Sequence, residues 1–330
     1  MKCGPVKWPL CIVARVAESV INHEINRALG ERWRRLDPLL PEPGPVTGTC
    51  GETFRTADGD GYAVCRHLVM PANSLDQTWA AATEYILSPR VAGPDVRSGL
   101  DQLLTQWRDH VSGIPEAHAE DSAAKLSWPS RDTTGVRALQ RHGLTPMTVV
   151  GARPAKRAIA PGITAGVTVR AAGAADLTAA VGFEMGVIRY DEQFGAGQVR
   201  PATEQLVRER LVRDLNRQPS WIWLAEDERT GEPGGLLIMQ PPERAGWVAK
   251  AVALAPVAYL ATMFVQPAER GAGVGAALVS EAHAAIDDLG AAVTLLHYAQ
   301  VNPVSGPFWS RMGYRPLWTY WEVSPAGLLR

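Results

Sequence analysis

The stretch "YLATMFVQPAERGAGVGAALVSEAHAAI", residues 259–286, constrains the fold of this chain more than any other. An apolar, strand-like run (259–265) passes through a glycine-rich loop into a helix. Val274, Leu278, Ala282, Ala285 and Leu289 fall on one face of that helix at three- and four-residue steps. A strand feeding a helix in this way needs a sheet beneath it. The surrounding sequence supplies one: 167–172, 221–226, 234–240, 292–298 and 315–323 read as strands, and 176–190, 203–217 and 303–312 as helices. Strands interleaved with helices imply an α/β layer fold with a mixed sheet.

The first half reads less regularly. Residues 37–61 are rich in Pro and Gly and read as loop; 75–87 and 98–111 read as helices, and 123–128 as a strand. The run 133–152 gives a helix, a stop at Gly143 and a strand after Pro146. Residues 153–163, with two prolines and no hydrophobic periodicity, read as a linker, so the expected division is 1–157 and 158–330. Setting Gly143 against Gly313 aligns "VRALQRHGLTPMTVV" with "SGPFWSRMGYRPLWTYW": helix, basic residue, glycine, large apolar residue, X-Pro and strand. Either both halves end in one duplicated unit, or a short match has arisen by chance.

Composition narrows the function. With 330 residues, 46% hydrophobic and 20% charged, the chain can bury two ordinary cores. A net charge of -1 offers no basic surplus for nucleic acid, and no segment reaches the eighteen or so apolar residues of a membrane helix. Cys3, Cys11, Cys50 and Cys65 fit no zinc spacing, which leaves no metal site and implies free thiols in a reducing compartment. The short apolar run near the start is broken by Arg15 and Glu18, unlike a signal peptide. The expected location is cytoplasmic. The preference for Arg over Lys, with abundant Ala, Gly and Pro, fits translation of a GC-rich bacterial genome.

Three chemical readings of the glycine loop compete. A Walker loop needs Gly-Lys-Ser/Thr, and no lysine follows. Gly271, Gly273 and Ala276 satisfy a dinucleotide fingerprint, but Gln266–Arg270 separate them from the strand, and the next strand ends without a ribose-binding acid. The third reading takes Arg270, Gly273 and Gly275 as Arg-x-x-Gly-x-Gly. Amides of Gly271, Ala272, Gly273, Val274, Gly275 and Ala276 would then converge at a helix N-terminus, a seat for pyrophosphate. The bland alternative is a tight turn that binds nothing.

"FVQPAERGAGVG", "TLLHY", "NPVSGPFWSRMGY" and "RPLWTYW", in this order over roughly 164–330, resemble the GNAT superfamily of acyl-CoA-dependent N-acyltransferases. The resemblance implies a GNAT fold, a mixed and mostly antiparallel central sheet flanked by helices, in the second half. The first half would be a degenerate GNAT-like copy that does not bind CoA, as in tandem members such as mycothiol synthases. Its nearest loop, "TADGDG" (56–61), would set Asp58 and Asp60 against a pyrophosphate. The cofactor implied is acetyl-CoA. Amides of Met263, Phe264 and Val265 would pair with its pantetheine arm, one of them polarising the thioester. The loop from Arg270 to Ala276 would hold the pyrophosphate, and Asn302 and Ser305 would lie beside the pantetheine.

Many family members place a tyrosine four residues before the last-helix glycine as acid for the departing thiolate; here that residue is Trp309, which cannot serve. Tyr298 or Ser305 are the substitutes. His297, taken as an ordinary imidazole, and Glu226 are the candidates for the base. Each has a structural alternative as a satisfied polar group. Glu184, Tyr190, Asp191 and Glu192 fall where the resemblance places the acceptor, though singly they read equally as surface charges. Trp318, Tyr320 and Trp321 cannot share one face of their strand, so part of that set lines the acceptor side or a seam between halves. The leading expectation is transfer of acetyl to a primary amine, small-molecule or peptide, by a monomer or homodimer. The alternative is a non-catalytic acyl-CoA sensor or interaction module.

Overall fold

A computed structural model describes residues 9–44, 46, 51–157 and 166–330, with side chains described from Asn22 onward. In chain order the elements are α1 (Pro9–Leu36), β1 (Gly51–Arg55), β2 (Gly61–Val69), α2 (Asp76–Trp79), β3 (Thr83–Val91), α3 (Val96–Ser112), β4 (Ser122–Pro129), α4 (Val136–Arg141) and β5 (Thr145–Pro154). There follow β6 (Val167–Ala171), α5 (Leu177–Glu192), α6 (Thr203–Leu215), β7 (Ile222–Asp227), β8 (Pro233–Gln240), β9 (Val257–Val265), α7 (Val274–Asp288), β10 (Val293–Ala299), α8 (Ser305–Arg311) and β11 (Arg315–Val323). Most of the expected 153–163 linker, from residue 158, lies outside the described residues.

The strands form one sheet in the order β1-β2-β3-β4-β11-β5-β10-β9-β8-β7-β6. Among the described strands only β3–β4 and β9–β10 are parallel. Read outward from the β5–β11 contact, the two sides match. Each half lends its last strand to the other: β11 lies between β4 and β5, and β5 between β11 and β10. The registers repeat at the Gly143-to-Gly313 spacing: Thr148 faces Ala299 as Trp318 faces Pro129. The repeat seen in the sequence is thus also a repeat of pairing.

Two stretches differ from the sequence reading. Only Asp76–Trp79 is helical within 75–87; Thr83–Val91 is strand, because Thr83, Tyr85, Ile86 and Val91 favour the pleat and Pro89 cannot donate inside a helix. Within the expected loop 37–61, β1 and the start of β2 form a hairpin turned at Gly59, whose φ is 78°. "TADGDG" is that hairpin turn, a role its Asp-Gly dipeptide fits.

One face of the sheet is covered by α3 and α4 over the first half and by α7 and α8 over the second. The other face carries α1 with residues 241–256 at the centre and α5 with α6 at the far side. Between these covers the central strands stay partly open. Ile86, Lys125, Ser127, Glu322, Tyr320, Thr148, His297 and Tyr259 are all half-buried, where central strands are ordinarily closed on both faces. A cleft therefore crosses the middle of the sheet on that face. Among the described residues no helix is long and apolar enough to cross a membrane.

Candidate functional site

The parallel pairing of β9 with β10 runs from Val257–Val293 to Leu260–Leu296 and stops. Beyond it the two strands part. The cause is local: Ile238 of β8 faces Thr262 and Met239 faces Leu260, so Ala261 is an extra residue in β9. Such a bulge bends the strand and raises its twist. The last turn of β9 follows β8 and leaves β10 behind.

Alternation settles which β9 amides face the gap. Gln266 N–H donates to the Gly234 carbonyl at 2.9 Å, and Phe264 pairs with Leu236 in the same register. In an antiparallel ladder every second residue bonds the partner. The Phe264 amide is therefore spent on β8, contrary to the expectation that it meets a pantetheine arm. The amides of Met263 and Val265 point into the gap. The Val265 carbonyl accepts from Arg270 Nε at 3.1 Å.

That bond also redefines Arg270. Its guanidinium folds back to the strand end, 5.2 Å from the Tyr190 ring centroid and 5.8 Å from that of Phe264. It braces the start of the loop against α5. Gly271 (φ 85°) and Gly273 (φ 90°) both take left-handed backbone, Gly273 as the residue capping α7. Side-chain-bearing residues resist that conformation. The turn exposes the first amides of α7, with no side chain among the described residues capping them. In the first half the matching helix, α3, begins differently: the Asp95 carboxylate accepts from Ser98 N–H at 2.9 Å. A carboxylate thus occupies the position an anion would need. The loop relevant to that comparison is 92–95, not 56–61.

Asn302 and Ser305 lie at the other wall. Asn302 is buried, and its Oδ1 accepts from the amides of Val304 (3.1 Å) and Ser305 (3.3 Å), ordering the entry to α8. Trp309 is buried among Phe308, Met312 and Tyr314, the packing role expected of it.

Consecutive residues of β10 face opposite sides. Tyr298 looks toward α7 and α8, half-buried, with burial raising its phenol pKa. His297 looks into the open cleft. Its Nδ1 lies 3.0 Å from Tyr259 Oη, and its ring is flanked by Trp247 (6.1 Å) and Tyr320 (5.9 Å). Burial, helped by the nearby Lys125 charge, lowers its pKa to about 4. The ordinary imidazole expected from sequence is thereby corrected: this one is neutral at physiological pH and a weak proton acceptor. Trp247, 61% exposed, tops the cluster, and its indole N–H donates to Gln240. Trp247 and Tyr259 were not singled out as site residues in the sequence. Period-two alternation from His297 and Tyr320 predicts the face, but not that Tyr259 and the 241–256 segment reach it.

Glu226 does not reach this site. It lies on β7, two strands from β9, and is held by Arg170, which also binds Asp176 at 2.8 Å. Glu184 is buried between α5 and α6 in an ion pair with Arg210, and Glu192 accepts from the Val199 amide. These three carboxylates serve the fold. Tyr190 and Asp191, at the end of α5, do stand at the gap, Tyr190 against Arg270 and Asp191 beside Asn302. Burial pushes the Asp191 carboxyl up to about 6, with the Asn302 side chain, hydrogen-bonding toward it, pulling the other way.

The sheet thus parts between two parallel strands beside a bulge in β9, with the Met263 and Val265 amides turned to the gap and a glycine-capped helix at its end. Residues 218–316 match the family model for the GNAT acetyltransferase domain. Acyl transfer is the general chemistry the match supports. The chain is similar to the crystal structure of a GCN5-related N-acetyltransferase from Sphaerobacter thermophilus: 17% identity, TM-score 0.51, covering 82% of this chain and 79% of the other. A GCN5-related N-acetyltransferase from Kribbella flavida gives 16%, 0.42, 91% and 94%, and a tandem GNAT protein from clavulanic acid biosynthesis gives 11%, 0.41, 91% and 96%. At such identities the likeness speaks to fold. No curated protein sequence matches the chain.

Proposed function

We propose that the chain transfers acetyl from acetyl-CoA to a primary amine by direct attack in a ternary complex. The observation that carries this reading is the parting of β9 and β10 after Leu260 and Leu296, which opens on the Met263 and Val265 amides and leads to the Gly271–Gly273 turn. In this reading the pyrophosphate sits on the amides at the start of α7, where dipole and unpaired N–H groups favour an anion. Pantetheine lies along Met263 and Val265 on the α7–α8 side, beside Asn302 and Ser305. One of those two amides stabilises the oxyanion, a contribution of about 2.7–4 kcal/mol where measured elsewhere. The acceptor enters from the opposite face, over the Trp247, Tyr259, His297 and Tyr320 floor.

The amine nitrogen attacks the thioester carbon, the C–N bond forms and the C–S bond breaks. The nitrogen loses one proton in becoming an amide, and the thiolate gains one. Tyr298, on the cofactor face, supplies the thiolate's proton. The first half, 1–157, is a degenerate copy without a cofactor, and 158–330 carry the chemistry. The acceptor is a small-molecule or peptide amine.

The test is calorimetric titration with acetyl-CoA followed by thiol release over a panel of amines. One cofactor per chain, with turnover, supports the reading. Tight binding without turnover of any amine would replace it with an acyl-CoA sensor, and no binding would remove both.

A further inference from the structure

The site described so far lacks a group able to take the acceptor's proton, since His297 is too weak a base and Glu226 lies elsewhere. A carboxylate stands at the gap without a cation. Asp191 ends α5, the helix that lies over the parted strands; the ring of Phe264 is so close that a Cβ on Gly186 would approach it to 2.9 Å. One residue earlier, Tyr190 meets Arg270 at the β9 lip. Asp191 itself meets Asn302, which follows the β10 lip, its N–H donating to the Ala299 carbonyl at 3.1 Å. The end of α5 thus spans the gap from one strand to the other. Asn302 commits its Oδ1 to the α8 amides, which turns its NH2 group outward as a donor.

The charged groups around Asp191 are occupied. Arg270 donates to Val265, Arg189 lies 4.0 Å from Glu204, Glu192 accepts from Val199, and His297 bonds Tyr259. No arginine, lysine or histidine among the described residues forms an ion pair with Asp191. Asp191 is a half-buried carboxylate at the end of α5, beside the Asn302 amide and without an ion-pair partner among the described residues.

We propose that Asp191, oriented by Asn302, is the base that removes the proton from the acceptor's ammonium group before attack on the thioester. The inference rests on the acetyltransferase reading above. The ammonium N–H bond breaks, its electron pair stays on nitrogen, and Asp191 carries the proton to solvent. Asp191 is the residue that touches the acceptor; Asn302 is a positioning residue. The shift of the Asp191 carboxyl toward neutrality raises its basicity while leaving it ionised at pH 7, the balance general base catalysis requires.

The experiment compares alkylamines, charged near neutral pH, with hydroxylamine, which is largely uncharged there and needs no such proton removal. In the full chain, Asp191→Asn is expected to lower kcat/KM for alkylamines by about a hundredfold or more, the usual scale for a lost general base. Hydroxylamine turnover and acetyl-CoA affinity stay within a few-fold of wild type. The wild-type rate falls below about pH 6, and that limb disappears in Asp191→Asn. Asn302→Ala moves the limb upward, because the bond that pulls the carboxyl down is gone, and Asp191→Glu restores part of the rate. Equal loss with both nucleophiles, or loss with neither, overturns the assignment. If wild type binds acetyl-CoA yet acetylates neither alkylamines nor hydroxylamine, the transferase reading itself has failed and the role of Asp191 falls with it.

Discussion

Replacing Gly273 with alanine separates the ligand-bearing role of the loop from its role as a turn. Gly273 caps α7 at φ 90°, where an added Cβ meets the preceding backbone at a cost of about 1–2 kcal/mol. Alanine also restricts the unfolded chain, which returns roughly 0.4–1 kcal/mol. In the cofactor-free protein the net loss is then between about zero and 1.6 kcal/mol, small enough that the fold survives. Binding responds differently. If the loop escapes the strain by leaving the left-handed region, the first amides of α7 turn from the seat. Recovering them on binding costs about 1–2 kcal/mol, a five- to thirtyfold loss of acetyl-CoA affinity. Gly275→Ala is the control. Gly275 has no positive φ, and its Cβ would lie 3.3 Å from the Phe308 ring and 3.5 Å from Val265, which a slight ring movement accommodates. Calorimetric titration with acetyl-CoA, alongside thermal melts, reads both variants. Unchanged affinity in Gly273→Ala, or an equal loss in Gly275→Ala, refutes the assignment of the left-handed turn as the pyrophosphate seat.

Three further outcomes follow from buried charges. His283, 2% exposed and held against Tyr314 at 2.9 Å, has its pKa lowered to about 3 by burial, so it is neutral when folded but protonates when unfolded below about 6.5. The stability it lends is complete above pH 6.5 and is lost as pH falls from there toward 3, with His297 acting in the same direction down to about 4; urea midpoints across this range measure the loss. For Asp191 the sign reverses, because a carboxyl raised from 3.8 to about 6 is costly when charged: Asp191→Asn should stabilise the protein by up to ~3 kcal/mol above pH 6 and by nothing below 3.8, which melts at the two pH values would show. Asp287→Ala leaves Arg153, 3% exposed and otherwise bonded to Asp287 at 2.8 and 3.0 Å, as an unpaired buried cation, at about 3–5 kcal/mol, visible as an early urea transition.

The last of these sites lies at the join that the sequence could not display. Arg153 is on β5 and Asp287 on α7, so the pair ties the last strand of the first half to a helix of the second. Local signals were sufficient where a residue's role depends on its own neighbours. Gly271 and Gly273 announce a left-handed turn, Trp309 a packed helix face, and Gly143 with Gly313 a repeated helix–turn–strand unit. They misled where a distant partner decides. The β-forming character of Thr83–Val91 lost to an assumed helix because its neighbours β2 and β4 were not visible from that segment. Glu226 read as a candidate base and Glu184 as a candidate for the acceptor side until Arg170 and Arg210 were found beside them. His297 looked like an ordinary imidazole until Tyr259, Trp247 and Tyr320 closed around it.

The sequence by itself determined the α/β alternation, the strand–loop–helix at 259–286 and the motif order that resembles the GNAT domain. These depend on periodicity and backbone conformation, which are properties of a few adjacent residues. Only the tertiary structure decided that the two halves exchange their final strands within one sheet, and that the Ala261 bulge parts β9 from β10. It also decided which amides face the gap and which carboxylate at its mouth lacks a cation. Hydrogen-bond partners, burial and pKa are set by groups far apart in the chain, and no local pattern encodes them.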